Sequence, residues 1–304
     1  MSHISICFAV YQNQGALPIL HQQITEELAA NFPNDTYELL FVNDGSKDDS
    51  LNELIELKKK DEHVKIISFS RNFGQMAAIL AGWENATGDA VINMAADLQD
   101  PPKQCIEMIK EWKAGNEIVI SYRQSHGTSA SKKVTSKLFY RLILPTAPPG
   151  GFDFALIDRK PMNAINSLKE RNRFYQYDIL WAGFKTKFIP YDKLERKIGK
   201  SQYNFLKRFR NFYSAFLNVS YVPLRLLTAI GGVVSVSGFI YALDIIYTYL
   251  FHQTPFNGWA PIMILLLIIG GLIMLMLGVV GEYIWRILDE VKGRPNYIID
   301  KRWD

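Results

Sequence analysis

The sequence predicts an α/β domain on a mostly parallel sheet, followed by an amphipathic helix and two long apolar helices. Three observations carry this. Short apolar runs alternate with helix-length segments from Ile4 to Ser121. Turn-forming polar residues follow these runs directly. From Leu226 to Tyr283 the chain becomes predominantly apolar.

Ile4 to Val10 reads as a buried parallel strand, because it is a short continuous apolar run. Pro18 to Phe32 has helical spacing, with Leu17, Leu20, Ile24 and Leu28 on one face. Tyr37 to Asp44 reads as the second strand. Asp48 to Lys60 is a helix that starts on an Asp/Ser cluster. Val64 to Ser70 is the third strand, Gln75 to Ala86 a helix, and Ala90 to Met94 the fourth strand. Pro102 to Ala114 is a helix and Glu117 to Ser121 the fifth strand. This alternation implies a sheet covered by helices on both faces. Ligands of such sheets sit beyond the carboxyl ends of the strands, so the residues that follow each strand are the ones to inspect.

Pro145 to Gly151 (PTAPPGG) is a loop. Ile157 to Ser167 and Phe174 to Trp181 read as helices, and Lys185 to Tyr191 as a strand. Asn204 to Leu217 interleaves Phe205, Phe209, Phe212, Tyr213 and Phe216 with Lys207, Arg208 and Arg210, the pattern of a helix lying in a membrane interface. Leu226 to Leu250 carries one charge, Asp244, and Pro261 to Gly281 carries none. Each stretch is long enough to cross a hydrocarbon core of about 30 Å. The loop between them lacks Lys and Arg, whereas basic residues flank the pair on its outer sides, so both ends are expected in the cytoplasm. Small residues such as Gly231, Gly232, Gly270 and Gly271 suit close packing, within the hairpin or between copies. The expected organisation is a cytoplasmic domain over 1–203, an interfacial helix over 204–222, two spans (about 226–250 and 261–281) within 223–285, and a tail over 286–304.

Composition excludes some functions. A net charge of +4 gives no support to nucleic-acid binding. Two cysteines, Cys7 and Cys105, without a CxxC or a histidine cluster, speak against a zinc site or a disulfide scaffold. The N-terminus is too short and too weakly basic for a signal peptide. Basic residues do cluster: Lys193 to Arg210 holds seven Lys or Arg against one acid, Glu195. Next to an apolar span this run favours an anionic membrane surface or a phosphate ligand.

Several strand ends carry chemistry. Asn43 and Asp44 end the second strand, and a carboxylate there can accept hydrogen bonds from ribose hydroxyls or a base edge. Gly45 supplies the tight turn. Arg71 and Gly74 follow the third strand. Asp97, with Gln99 and Asp100, follows the fourth, and oxygen ligands of this kind suit Mg²⁺ or Mn²⁺ bridging phosphate oxygens. Arg123 follows the fifth. Two arginines facing two acids at one sheet end suit a phosphate and metal site.

These segments resemble the polyprenyl-phosphate glycosyltransferases, the branch of the inverting GT-A family with dolichol-phosphate mannose synthases and bactoprenol glucosyltransferases. The matching segments are VNDGSKDDS, SRNFGQMAAILAG, GDAVINMAADLQDPP, GFDFALIDRK, ERKIGKSQY and GEYIWRILDEVKGRPNYII, in order along nearly the whole chain. The resemblance implies a Rossmann-like GT-A domain. It assigns Tyr11 and Asp44 to the nucleoside and Asp97 and Gln99 to the metal. It assigns Arg123, Arg196 and Ser201 to phosphates of donor or acceptor, where Arg71, by its strand-end position, and Lys200, by its charge, are also expected to bind, and it assigns Asp153 to the reacting centre, as base, acceptor-orienting group or structural residue. It implies a nucleotide-sugar donor, UDP-glucose or a related UDP-sugar, and an undecaprenyl phosphate acceptor for inverting hexose transfer. The product would be a lipid-linked sugar for cell-surface glycans. It further implies a multi-pass, homo-oligomeric protein of the bacterial inner membrane with both termini cytoplasmic.

Three positions depart from the family pattern. The first strand ends in FAVYQNQ, Gln75 replaces a Lys or His, and Ala95 replaces the first acid of Asp-x-Asp. The last weakens the expected metal site. A processive polysaccharide synthase is a rival reading, but QYDILW (Gln176 to Trp181) is not its Q-x-x-R-W segment. A catalytically weakened scaffold of the same fold is another.

Overall fold

The computed structural model describes residues 1–123, 146–148, 151–171, 173–194, 222–252 and 259–304. The chain divides into two compact units, one of Met1–Asn211 with Pro295–Asp304, the other of Phe212–Arg294.

The first unit is built on an eight-stranded sheet: β1 (His3–Val10), β2 (Thr36–Asn43), β3 (Val64–Phe69), β4 (Ala90–Ala95), β5 (Ile118–Arg123), β6 (Phe154–Asp158), β7 (Thr186–Tyr191) and β8 (Ile299–Trp303). Their order is β7-β5-β6-β4-β1-β2-β3-β8. Among the described residues four of the seven pairings are parallel, so the sheet is mixed. β6 runs antiparallel to both β4 and β5, and β8 runs antiparallel to β3.

Alternate strand residues enter two different cores. Ile4, Ile6 and Phe8 of β1 and Leu39 and Phe41 of β2 face one side. There they meet α1 (Leu17–Asn31), α2 (Ser50–Lys60) and α4 (Pro102–Lys113). Cys7, Leu40 and Val42 face the other side, with α3 (Gln75–Asn85), α5 (Arg159–Asn166) and α6 (Tyr175–Trp181). This two-sided burial explains why the strands read as continuous apolar runs. Each fully buried Leu, Ile or Phe contributes about 1.5–3 kcal/mol. The helix boundaries follow local chemistry. Pro18 lies in the first turn of α1 and Pro102 opens α4, where a missing N–H costs nothing. Lys58, Lys59 and Lys60 end α2, where cations complement the helix dipole.

Two expectations are corrected. Phe154–Asp158 is a strand, and the helix expected from Ile157 begins only at Arg159. A five-residue apolar run is ambiguous between the two until its neighbours are known. Asp158 then caps α5, its carboxylate accepting the Lys160 N–H at 3.0 Å. The segment read as a tail also has structure, because Ile299–Trp303 forms edge strand β8. Its exposed Asp300, Lys301 and Arg302 suit an edge, since charges discourage further pairing.

The second unit contains α7 (Val222–His252) and α8 (Trp259–Val291), of 31 and 33 residues. At about 1.5 Å per residue each exceeds a hydrocarbon core of about 30 Å. Both are long and apolar enough to cross a membrane, over Leu224–Tyr241 and Ile268–Val291. Val233, Phe239, Leu266 and Met274 are exposed, a surface suited to lipid. A Cβ on Gly231 would lie 3.2 Å from Met276 Cε, so this glycine permits close contact between α7 and α8. The interfacial helix expected over 204–222 lies outside the described residues, apart from the start of α7.

Candidate active site

Strand directions bring the candidate residues to one end of the sheet. β1, β2, β3 and β4 are parallel, so Tyr11, Asp44, Arg71, Asp97 and Gln99 follow them on the same side. β5 opposes β6, which opposes β4, so β5 ends on that side too, with Arg123 as its last residue. β6 begins there, which places Asp153 in the same cluster. Arg196, Lys200 and Ser201 lie outside the described residues.

The AADLQDPP segment is a tied loop. Asp97 Oδ1 accepts the Gln99 N–H at 3.2 Å, closing an Asx-turn. Leu98 between them has φ +60°, a strained conformation for a bulky residue, and burial of its side chain holds it there. Asp100 turns inward, 1% exposed. It accepts the Tyr191 hydroxyl at 2.8 Å and the Ala95 N–H at 3.2 Å, and Lys193 Nζ is 3.8 Å away. Burial pushes the Asp100 carboxyl up, and these partners offset only part of that. Asp100 is therefore consumed by the loop, while Asp97 stays half-buried at the mouth. The Leu194 N–H donates to the Gln99 carbonyl at 2.8 Å, which ties the chain after β7 to the same loop.

Asp44 anchors a second loop. Its Oδ1 accepts the Phe73 N–H at 2.6 Å, and Oδ2 accepts the Gly74 N–H and the Asn72 amide, both at 2.9 Å. It is 2% exposed, and burial raises its pKa despite these donors. The sequence pointed this carboxylate at the nucleoside; here it shapes the Arg71–Gly74 loop. Gly45, at φ +62°, packs so closely that a Cβ would lie 2.4 Å from the Arg71 carbonyl carbon. Only glycine fits that turn. The Arg71 guanidinium lies 4.0 Å from the Phe73 ring centroid, a cation–π contact. Tyr11 is half-buried, and its N–H donates to Asn13 Oδ1 at 2.9 Å. Asn13 Nδ2 in turn donates to the Ala96 carbonyl at 3.3 Å, joining the first and fourth strand-end loops.

Asp153 is exposed at the mouth but its carboxylate is held. Oδ1 accepts the Tyr175 hydroxyl at 2.8 Å and Gln176 Nε2 at 3.2 Å. Its backbone carbonyl accepts Asn93 Nδ2 at 2.9 Å, from within β4. The short helix carrying Tyr175 and Gln176 is fixed from behind by a buried ion pair, Arg173 Nε to Asp178 Oδ2 at 2.8 Å. Tyr191 faces Asp100, Asp153 and Arg123, and burial with the first of these carboxylates pushes its hydroxyl far up, so it stays a donor.

Tyr175, Gln176, Tyr191, Lys193 and Asn13 were not assigned to the site from the sequence, although Gln176 opens the QYDILW segment and Lys193 the basic run. For Tyr191 a signal existed: it ends a strand parallel to β5, as Arg123 does. Tyr175 and Gln176 had none, because only the fold brings them to Asp153. Among the described residues no group of three or more His, Cys, Asp or Glu side chains is placed to hold a metal ion.

The eight-stranded mixed sheet has the Rossmann-like layout of a GT-A glycosyltransferase domain. The fold is similar to that of mannosyltransferase PcManGT from Pyrobaculum calidifontis, solved with GDP-Man and Mn²⁺. That likeness has a TM-score of 0.51 at 14% identity over 71% of this chain and 64% of that one. Residues 5–186 match the family model described as glycosyl transferase family 2, and residues 222–287 match the GtrB C-terminal hairpin. The chain belongs to glycosyl transferase family 2. It is 40% identical to the uncharacterized glycosyltransferase YkcC of Bacillus subtilis (strain 168), over 98% of this chain and 94% of that one. It is 35% identical to the SfII prophage-derived bactoprenol glucosyl transferase of Shigella flexneri, over 98% and 97%.

Proposed function

We propose that this enzyme transfers a hexose, with inversion, from a nucleotide-diphosphate sugar to undecaprenyl phosphate at the cytoplasmic face of the membrane. Asp97, Arg123 and Asp153 gathered at one sheet end, in a chain that continues into an apolar hairpin, support this reading most directly. The name of the Shigella flexneri relative, matched almost end to end, points to the lipid acceptor and to glucose, and the family resemblance adds UDP-glucose as donor.

The chemistry follows from the acceptor. A phosphate monoester has a second pKa near 6 and is largely a dianion at neutral pH. Its oxygen attacks the anomeric carbon while the bond to the donor diphosphate breaks, and the charge leaves with the nucleoside diphosphate. A strong base is not needed; bringing two anions together is the difficult task. Arg123, with Arg196, Lys200 and Ser201, is assigned to that charge. Asp153, held by Tyr175 and Gln176, orients the acceptor. Tyr11, Asp44 and Arg71 form the nucleoside side, Asp44 through the loop that it shapes.

Mg²⁺ or Mn²⁺ fits the donor set in a reduced form. Asp97 and Gln99 offer oxygens at the mouth, and Mg²⁺ commonly uses one or two carboxylates plus substrate phosphates. Asp100 is turned away, and Ala95 offers nothing. When bound, the cation supplies positive charge to the departing diphosphate.

Because the sheet takes strands from both sides of the hairpin in sequence, its connectivity favours both hairpin ends on one face, which the positive-inside pattern puts in the cytoplasm. On this reading the enzyme is a multi-pass protein of the bacterial inner membrane; its family resemblance adds a homo-oligomeric state and a role in supplying lipid-linked sugar for surface glycans. The test is a donor screen with radiolabelled nucleotide-sugars, undecaprenyl phosphate and the membrane-embedded full chain, with and without Mg²⁺ or Mn²⁺. Label in extracted lipid is the expected result, strongest with UDP-glucose. No lipid-linked label with any donor would sink the proposal and favour a scaffold, the reading that Ala95 encourages.

A further inference from the structure

The segment after the hairpin reaches the donor loop. The chain leaves the second unit at Arg294, and three residues later Tyr297 lies against the Arg71–Gly74 region of the sheet. Its ring stacks on Phe69 at 4.9 Å between centroids and 14° between planes. Phe69 meets Phe73 edge-on at 5.8 Å, and Phe73 carries the Arg71 guanidinium on its face. The Tyr297 hydroxyl is hydrogen-bonded to Glu84 near the end of α3, the helix that starts at this loop.

The backbone fixes this arrangement. β8 pairs antiparallel with β3, and the register shifts at Ser68/Phe69, where Asp300 is the extra residue. Such bulges re-aim side chains and recur beside active sites. Beyond the bulge the Ser70 N–H donates to the Ile298 carbonyl at 3.1 Å, so the pairing continues to the edge of the loop. Tyr297 and Ile299 pack with Phe73 and Met76 against the core under α3. The loop therefore has two supports. Asp44 binds its backbone from one strand, and the aromatic series Tyr297–Phe69–Phe73 backs its side chains from the tail.

We propose that Tyr297 is a positioning residue for the donor nucleotide, acting through Phe69 and Phe73 on Arg71, so that the tail after the hairpin completes the nucleotide-sugar side of the site. This rests on the proposed assignment of Arg71 to the donor. It predicts an effect on donor binding that spares both the acceptor and the chemical step.

The experiment uses the full chain in membranes, with Tyr297→Phe keeping the ring and Tyr297→Leu keeping apolar bulk without it. Tyr297→Phe should stay within about twofold of wild type in donor KM, and Tyr297→Leu should raise it about five- to tenfold, with kcat and acceptor KM little changed. Hydrogen exchange at the Phe73 and Gly74 amides should speed up in Tyr297→Leu, with β1 unaffected. Unchanged donor KM and unchanged exchange in Tyr297→Leu would overturn the inference. Equal losses in donor KM, acceptor KM and kcat would reduce Tyr297 to a general stabilising residue. If wild type transfers nothing to undecaprenyl phosphate, the functional proposal falls and the donor role of Tyr297 with it, while exchange at Phe73 and Gly74 still decides whether Tyr297 supports the loop.

Discussion

The two ends of the sheet treat their carboxylates in opposite ways. At the amino end, Glu38 accepts hydrogen bonds from Ser5, from the Thr87 N–H at 2.6 Å, and pairs with Lys65 at 2.7 Å. Burial alone would raise its pKa, but these partners outweigh it and the pKa falls. Asp61 sits between His21 and His63, each at 2.7 Å, with the same outcome. At the carboxyl end, burial wins for both Asp44 and Asp100. The two non-glycine residues with positive φ among those described, Gln12 and Leu98, also lie at that end. One end is arranged for stability. The other keeps positive-φ backbone at Gln12 and Leu98 and holds Asp44 and Asp100 buried within its loops.

The contrast can be broken from either side. The largest effect is expected for Asp97→Asn, which should lower transfer about 10²–10³-fold without moving the thermal midpoint in detergent. Retention of rate within a few-fold would remove Asp97 from the chemistry. Glu38→Gln should do the reverse, costing about 1–3 kcal/mol of stability by weakening the buried acceptor of the Thr87 N–H and Ser5 hydroxyl. Its rate per folded molecule should not change; a drop would mean that the amino end is not merely structural. Tyr175→Phe removes one of the donors that hold Asp153 and should lower kcat about two- to tenfold with donor KM preserved. An unchanged kcat would leave Asp153 positioned by Gln176 alone.

The smallest effect concerns pH. Asp100 has a raised folded pKa, so its stabilising contribution is present below the ordinary carboxylate range and is lost as pH rises through the folded value. Glu38 has a lowered one, so its contribution is present above the ordinary range and is lost as pH falls through the folded value. Asp100→Asn should therefore flatten the loss of thermal midpoint on the neutral side, and Glu38→Gln the loss on the acid side. Identical pH profiles for the two variants would erase the distinction between the ends.

Much of this was legible in the sequence because the strands are buried on both faces. Their runs are continuous and their ends are marked by Asp44, Arg71, Asp97 and Arg123, so the rule that ligands sit at strand ends picked out residues that the fold brings to one end of the sheet. What stayed hidden depends on contacts distant in the chain. FALID could not be read as a strand without β4 and β5 on either side. YIIDKRW could not be assigned to the sheet, because its partner lies before the hairpin. The identity of Asp44 was visible but its orientation was not, since the donors at Phe73 and Gly74 are backbone groups. Asp100 and Tyr191 are 91 residues apart, and no local pattern links them.

The return of Ile299–Trp303 to β3 also sets an order of manufacture. A ribosome delivers the described strands β1 to β7, then the hairpin, and only afterwards β8. Until then β3 is the open border of a sheet that lacks its last strand, with unpaired backbone groups able to recruit a neighbouring nascent chain. The catalytic unit thus reaches its final form after the apolar helices have been made, so that newly synthesised enzyme is completed only once its anchor exists.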